Sequence, residues 1–315
     1  MNFSQFVAGG SRAITEGAVL ERVRRDPDLA LDSHILNGGF VYDAKARGRL
    51  AEIHTNYLSL AREARLPILA FTDTWRCSQR AIDASRFKGR AVNQDNARFL
   101  NELRASLGEG SPIFIGGLVG PSGDAYKPED GLDRRSAADF HRPQILALAS
   151  AGIDFLHLAT APNVEEALGV ADAMAETDRP YVISFVIRRT GVVLDGTPLV
   201  QAMDRIDADA ARPPIGFSIN CVHARVLETA LEAVATTRPE ACRRILTFQA
   251  NTADAEVEEL DNSEVLVTEP AEEFADRIAR LASRFSLRVL GGCCGTEGKH
   301  IEALASKLTG KETLA

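Results

Sequence analysis

Residues 180–187 read Pro180-Tyr-Val-Ile-Ser-Phe-Val-Ile187, a short run that is apolar at almost every position. A strand with one face in water alternates apolar and polar residues, whereas a strand covered on both faces is apolar nearly throughout. This run therefore predicts a parallel strand buried between layers of helices. Similar runs rich in Val, Ile, Leu and Phe recur at residues 34–41, 67–71, 112–119, 154–159, 215–220, 244–250 and 287–290.

Segments of helical composition lie between these runs. Residues 49–65, for example, place Leu50, Ile53 and Tyr57 on one apolar stripe at helical spacing. Eight strands alternating with helices is the count of a closed (β/α)₈ barrel, which typically needs about 250 residues. We predict an α/β fold, a single (β/α)₈ TIM barrel over residues 34–315 with a short helical extension over residues 1–33. An open doubly wound sheet has the same alternation and is the alternative.

The composition excludes several classes of protein. The chain has 315 residues, and its 36 Lys and Arg against 44 Asp and Glu give a net charge of −8. This balance argues against a nucleic-acid partner and against a polybasic membrane anchor. No run of 18 apolar residues and no export signal is found, so a cytoplasmic protein without a membrane partner is expected. A homo-oligomeric state is left open.

The cysteines are the most informative residues. They are Cys77, Cys221, Cys242, Cys293 and Cys294. An odd number in a long chain without an export signal does not indicate a disulfide framework. Cys221 ends the sixth predicted strand, and the adjacent Cys293 and Cys294 follow the eighth. The C-terminal ends of barrel strands form the rim that carries the active site, so these three thiols are expected on one rim.

Three thiolates on one rim indicate a zinc site. Adjacent strand residues point to opposite faces, so the backbone must turn for Cys293 and Cys294 to reach one ion, and Gly291, Gly292 and Gly295 allow such a turn. A catalytic zinc site keeps a position open for an exogenous group, and no fourth cysteine is expected nearby. Cys77 and Cys242 are expected to pack as small hydrophobic residues.

The sequences around these cysteines, Gly291-Gly-Cys-Cys-Gly-Thr296 and Ile219-Asn-Cys221, resemble the signature of the zinc-dependent homocysteine S-methyltransferase family. This resemblance covers about residues 34–308 and implies a (β/α)₈ barrel. Further stretches resemble the family in the same chain order: Asn37-Gly-Gly39, Glu52-Ile-His-Thr-Asn-Tyr-Leu58, Gly116-Gly-Leu-Val-Gly-Pro121, Phe140-His-Arg-Pro143, Asp195-Gly-Thr-Pro198 and Ile301-Glu-Ala-Leu304.

The resemblance implies a methyl transfer to a zinc-bound thiolate. Zn²⁺ would be the cofactor, and the partners would be a small thiol acceptor, with homocysteine giving methionine, and a small methyl donor. The donor is expected to be a sulfonium such as S-methylmethionine or S-adenosylmethionine, with betaine as the alternative. The resemblance assigns Cys221, Cys293 and Cys294 as ligands, with Asn220 and Gly292 beside them.

Two departures bear on the acceptor. The family has an acidic residue where this chain has Asn37, and a glutamate where His157-Leu-Ala-Thr-Ala-Pro162 places Ala159. Both acids contact the ammonium of the acceptor in the family, whereas Gly38 and Gly39 resemble its carboxylate clamp. An acceptor without an α-ammonium is therefore one hypothesis.

Three other outcomes stay open. Asp73 or Asp43 supplies the missing charge, or the barrel is a non-catalytic protein that binds zinc or a ligand. Thr72 is expected either to contact the substrate or to cap a turn, and Trp75 either to stack on the cation of the donor or to form a lid.

Overall fold

The computed structural model describes residues 1–255 and 267–310. Eight parallel strands pair in chain order, and β8 pairs with β1 to close the barrel. The predicted (β/α)₈ fold is therefore confirmed, and residues 311–315 of the predicted domain lie outside the described residues. The strands are β1 (Ala13–Thr15), β2 (Ile68–Phe71), β3 (Ile113–Val119), β4 (Phe155–Ala161), β5 (Tyr181–Phe185), β6 (Gly216–His223), β7 (Ile245–Asn251) and β8 (Val289–Gly292).

Helices surround the barrel and bury one apolar stripe each against it. In the helix over residues 271–285, Phe274, Ile278 and Leu281 are buried at helical spacing. No described helix is long and apolar enough to cross a membrane. The helices are α1 (Phe3–Gly9), α2 (Leu20–Arg24), α3 (Ala44–Ala64), α4 (Gln79–Ala84), α5 (Val92–Ser106), α6 (Arg134–Ala149), α7 (Val164–Ala175), α8 (Leu199–Asp209), α9 (Ala224–Thr237), α10 (Pro239–Cys242), α11 (Ala271–Phe285) and α12 (Gly298–Thr309).

The strand predicted at residues 34–41 is wrong. Residues Asn37–Tyr42 form a 3₁₀ helix, and the first strand is Ala13–Thr15. The barrel therefore begins inside residues 1–33, which the sequence assigned to an extension. Ile35 and Phe40 are buried against neighbouring loops and helices instead of in a sheet. The true first strand was missed because its three residues are too few to show a periodicity.

A helix does precede the first strand, and α1 closes the N-terminal end of the barrel. Phe3 stacks on Phe155 with ring centroids 4.1 Å apart, and Phe6 lies 5.0 Å from Phe114. Phe114 and Phe155 stand at the start of β3 and β4, so these rings fill the end of the barrel opposite the thiols. The N-terminal segment thus completes the hydrophobic core.

Truncation of Phe3 tests this role. We expect Phe3→Ala to lower the free energy of unfolding by about 3–5 kcal/mol, the usual cost of removing a buried aromatic ring. Urea denaturation measures this change, and Met1→Ala is the control because Met1 is 69% exposed. A loss below about 1 kcal/mol for Phe3→Ala would show that α1 is only a surface attachment.

Candidate active site

Three thiols meet at the C-terminal rim of the barrel. Cys221 lies near the end of β6, and Cys293 and Cys294 directly follow β8. The sulfur of Cys221 is 2.8 Å from that of Cys293 and 3.9 Å from that of Cys294. All three sulfur atoms lie within 4.8 Å of one another. The structure thus brings the three predicted thiols together, while Cys77 and Cys242 stay outside this group and are buried.

An unusual backbone conformation directs Cys221 into the site. Its φ is +58°, in the left-handed region that non-glycine residues rarely adopt, and the pairing of β6 with β7 shifts between Asn220 and Val222. Because of this local turn, Asn220 and Cys221 both line the same cavity although they are adjacent in a strand. Such strain in a strand is typical of functional sites.

The glycines around the double cysteine have two different roles. Gly295 has a φ of +82° and provides the turn after the thiols. Gly291 and Gly292 belong to β8, where a Cβ would lie 1.9 Å from Thr15 Oγ1 and 2.3 Å from Thr296 Oγ1. They are therefore needed for close packing, and only Gly295 provides the conformational freedom expected of all three.

Hydrogen bonds fix the loop that carries Cys293 and Cys294. The backbone N–H of Cys294 donates to Asn251 Oδ1 at 3.1 Å, and that of Cys293 donates to the carbonyl of Ala250 at 2.7 Å. The N–H of Gly295 donates to the carboxylate of Glu21 at 2.5 Å. These contacts tie the thiols to β7 and α2.

The thiols also interact with Tyr126, in the loop that follows β3. Hydrogen bonds from Cys293, Cys294 and Tyr126 hold the pKa of Cys221 well below that of an ordinary thiol, although burial opposes this shift. The nearby sulfur of Cys221, together with burial, raises the pKa of Tyr126 well above its ordinary value, so its hydroxyl stays a donor. Three converging sulfur atoms, one stabilised as a thiolate, are a fitting donor set for a soft or borderline metal ion such as zinc.

The thiols open into a cavity of about 1020 Å³ at the rim. Gly38 and Gly39 do not line it, because they pack against Cys77 and Phe87. Six other predicted site residues line it together with the thiols: Asn37, Thr72, Asp73, Ala159, Asn220 and Gly292.

Thr72 and Asn220 have structural partners in the cavity wall. The hydroxyl of Thr72 accepts from the backbone N–H of Leu118 at 2.9 Å. The carbonyl oxygen of Asn220 accepts from the N–H of Thr160 at 3.0 Å and from the hydroxyl of Ser184 at 2.6 Å. Thr160 has a φ of +56°, so Asn220 fixes a strained turn of β4 next to Cys221.

The acidic residue after the first strand is Glu16. Asn37, expected at that position, lies in the 3₁₀ helix, because the strand predicted before it is β1, earlier in the chain. The stretch Glu16-Gly17-Ala18 follows β1 directly and resembles the Asp-Gly-Ala element of the family. One of the two carboxylates thought to be missing is therefore present as glutamate, whereas Ala159 does lack one.

Glu16 belongs to a buried network with His54 and Asp73. His54 Nδ1 lies 2.5 Å from Glu16 Oε1, and its Nε2 lies 2.9 Å from Asp73 Oδ2. The amide of Asn37 donates to the other oxygen of Asp73 at 2.6 Å. Burial alone would lower the pKa of His54, but the two carboxylates outweigh it and raise that pKa to about 10. Both ring nitrogens thus carry protons, and the network presents one net negative charge to the cavity.

This network predicts a pH dependence of stability. A histidine whose pKa is raised by folding stabilises the protein fully below its unfolded pKa of about 6.5, and this contribution is lost as the pH rises towards 10. We expect the free energy of unfolding to fall between pH 7 and about pH 10 in the wild type, and His54→Asn to remove most of this slope. Denaturant titrations across this range measure it, with the exposed His34→Asn as control. A slope that persists in His54→Asn would contradict the charged state of this histidine.

The sequence analysis missed several residues of the site. Glu16 had a signal, since an acid-Gly-Ala element follows a short strand. His54 was noticed only within a helical motif, because a helix pattern does not show which carboxylates lie against it. Tyr126, Asn251 and Glu21 come from separate loops and elements, and no local motif distinguishes them.

Comparisons with known proteins agree with this geometry. The sequence model described as homocysteine S-methyltransferase matches residues 13–308. The homocysteine S-methyltransferase YbgG of Bacillus subtilis (strain 168) is 24% identical over 285 residues, covering 82% of this chain and 82% of that protein. The S-methylmethionine–homocysteine S-methyltransferase BHMT2 of Pongo abelii is 26% identical over 229 residues, covering 68% and 59%.

A solved structure shares the fold. The metallated form of the homocysteine methyltransferase MmuM from Escherichia coli superposes with a TM-score of 0.76 at 18% identity. The match covers 96% of this chain and 99% of that one. At this identity the likeness concerns the fold.

Proposed function

The chain belongs to the homocysteine S-methyltransferase family, and we propose that it transfers a methyl group from a sulfonium donor to the sulfur of homocysteine, giving methionine. The observation that carries this proposal is the group of three thiols within 4.8 Å on the rim of the barrel. A role in methionine biosynthesis and a place in the cytoplasm follow as parts of the proposal. The free state of all five cysteines supports a reducing compartment.

Zn²⁺ is the proposed cofactor, held by Cys221, Cys293 and Cys294. The sulfur donors fit it, and their number leaves a position for the acceptor. Zinc bound there keeps the sulfur of the acceptor as a thiolate near neutral pH, where a free thiol with a pKa of about 8.5 is mostly protonated.

The residues of the chain position the reactants. Tyr126 and the backbone turn at Cys221 fix the thiol group, and Asn251 fixes the loop after β8. The acidic network of Glu16, His54 and Asp73 offers its net negative charge to the ammonium of the acceptor. This network supplies a counter-charge in the absence of a carboxylate at Ala159, so an acceptor without an ammonium is not favoured.

The methyl transfer requires no general base on the protein. A bond forms between the sulfur of the acceptor and the methyl carbon, while the bond from that carbon to the sulfonium sulfur breaks. The electron pair of the broken bond stays on the departing sulfide, which becomes neutral. The thiol proton is lost to solvent when the acceptor binds.

Label transfer tests the proposed function. The zinc-loaded protein is incubated with L-homocysteine and S-methylmethionine carrying a deuterated methyl group, and labelled methionine is measured by mass spectrometry. S-adenosylmethionine and betaine are run in parallel. We expect labelled methionine from a sulfonium donor. Absence of transfer from all three donors to protein of confirmed zinc content would refute the proposal.

A further inference from the structure

Arg76 is a held but unpaired cation on the wall of the cavity. Its Nη1 donates to the carbonyls of Pro121 at 2.9 Å and Gly123 at 2.5 Å. Its guanidinium lies 4.2 Å from the ring centroid of Trp75. Throughout residues 1–255 and 267–310, no carboxylate oxygen comes within 4.0 Å of its nitrogens. The guanidinium is thus fixed in position without a counter-ion.

An unpaired guanidinium in a partly buried place favours a bound anion. Burial lowers the pKa of Arg76 despite the more distant carboxylates of Asp124 and Glu166. Those two acids are engaged elsewhere, Asp124 with Lys127 and Glu166 with His141. A carboxylate is the natural partner of the planar guanidinium, and a donor group held in advance loses little freedom on binding.

The other cations on the cavity wall fit this role less well. Arg25 lies 3.1 Å from Glu21 and is already paired. Arg24 is exposed and has no hydrogen bond that fixes it among the described residues. Arg76 alone of the three combines partial burial, two carbonyl anchors and a stacked ring.

The position of Arg76 around the barrel indicates which reactant it contacts. The proposed acceptor extends from the thiols after β6 and β8 to the carboxylates after β1 and β2. This leaves the side of the cavity formed by β3 and β4, where Ala159 is small and leaves room. Arg76 is tied to the loop after β3, and that loop also carries Tyr126, which contacts Cys221. A donor on this side has its methyl group near the thiols and its other end near Arg76.

We propose that Arg76 binds the carboxylate of the methyl donor, so that the donor is an onium compound of the amino-acid or betaine type. This rests on the proposed function. Trp75 serves as the platform for Arg76, since the guanidinium covers one ring face and the indole N–H donates to Thr160 Oγ1 at 3.0 Å. The carboxylate stays bound to Arg76 while the sulfonium loses its methyl group, so the interaction determines which donor is accepted.

The test compares donors with and without a carboxylate. Arg76→Gln is expected to raise the KM for S-methylmethionine by about 10- to 100-fold, the range for a lost charged hydrogen bond. The KM for L-homocysteine should change less than about threefold. Turnover with trimethylsulfonium, which has no carboxylate, should be equally slow in wild type and variant. Arg76→Lys keeps the charge and should lie between them, and the exposed Arg80→Gln on α4 is the matched control.

A binding measurement separates this inference from the proposed function. Calorimetric titration of S-methylmethionine into the zinc-loaded protein without thiol should show binding that Arg76→Gln weakens by the same factor. If no donor gives turnover but this Arg76-dependent binding occurs, the proposed function fails and the anion site stands. A rise in the KM for homocysteine instead, an equal loss with trimethylsulfonium, or unchanged S-methylmethionine binding in Arg76→Gln would overturn the inference.

Discussion

Replacing Cys293 with alanine is expected to remove the bound zinc and to lower kcat/KM by at least about 1000-fold. Two sulfur atoms hold zinc far less tightly than three, and the metal contributes several kcal/mol of transition-state stabilisation in comparable enzymes. The same loss is expected for Cys221→Ala and Cys294→Ala, because the three sulfur atoms form one group within 4.8 Å. Zinc content by atomic absorption and label transfer to homocysteine measure the two effects.

The matched control for this prediction is Cys242→Ala. Cys242 is also buried and free, but it lies in α10 and outside the thiol group. This variant should keep its zinc and its activity. Full zinc content together with wild-type turnover in Cys293→Ala would contradict the assignment of the three thiols.

Removing the charge of Asp73 is expected to reduce the preference of the enzyme for an acceptor that carries an ammonium. We compare L-homocysteine with 4-mercaptobutanoate, which has the same chain without the ammonium. The wild type should prefer homocysteine by about 10- to 100-fold, the range for one charged hydrogen bond, and Asp73→Asn should lose most of this preference. Glu16→Gln should act in the same direction, since His54 joins the two carboxylates.

The ratio of kcat/KM for the two thiols is the quantity to measure, because a general loss of stability affects both alike. Asp83→Asn on α4 is the control, since Asp83 is exposed and outside the cavity. An unchanged ratio in Asp73→Asn and Glu16→Gln would show that this network does not recognise the acceptor. It would then restore the hypothesis of an acceptor without an ammonium.

The sequence predicted most of the fold because most strands carry a long apolar run. The strand at residues 180–187 is recognisable since parallel strands are covered on both faces. The first strand has three residues and no such run, so the apolar residues around Asn37-Gly-Gly39 were taken in its place. This single error displaced the domain boundary and the acidic position of the first strand together.

The thiol group was predictable because it depends on topology. Cys221, Cys293 and Cys294 follow the ends of parallel strands, and such ends meet on one rim of a barrel. The contacts of His54 and Tyr126 were not predictable in this way. They depend on which face of α3 lies against Glu16 and on how the loop after β3 folds back onto Cys221, and both are set by tertiary packing.

X-ray absorption at the zinc edge, before and after addition of L-homocysteine, tests the central claim most directly. It reads the atoms bound to the metal and needs no assumption about the methyl donor. The account predicts three sulfur atoms and one lighter atom in the free protein, and four sulfur atoms once homocysteine is bound. A protein that holds no zinc when expressed with it, or a shell that stays at three sulfur atoms with saturating homocysteine, would contradict the account.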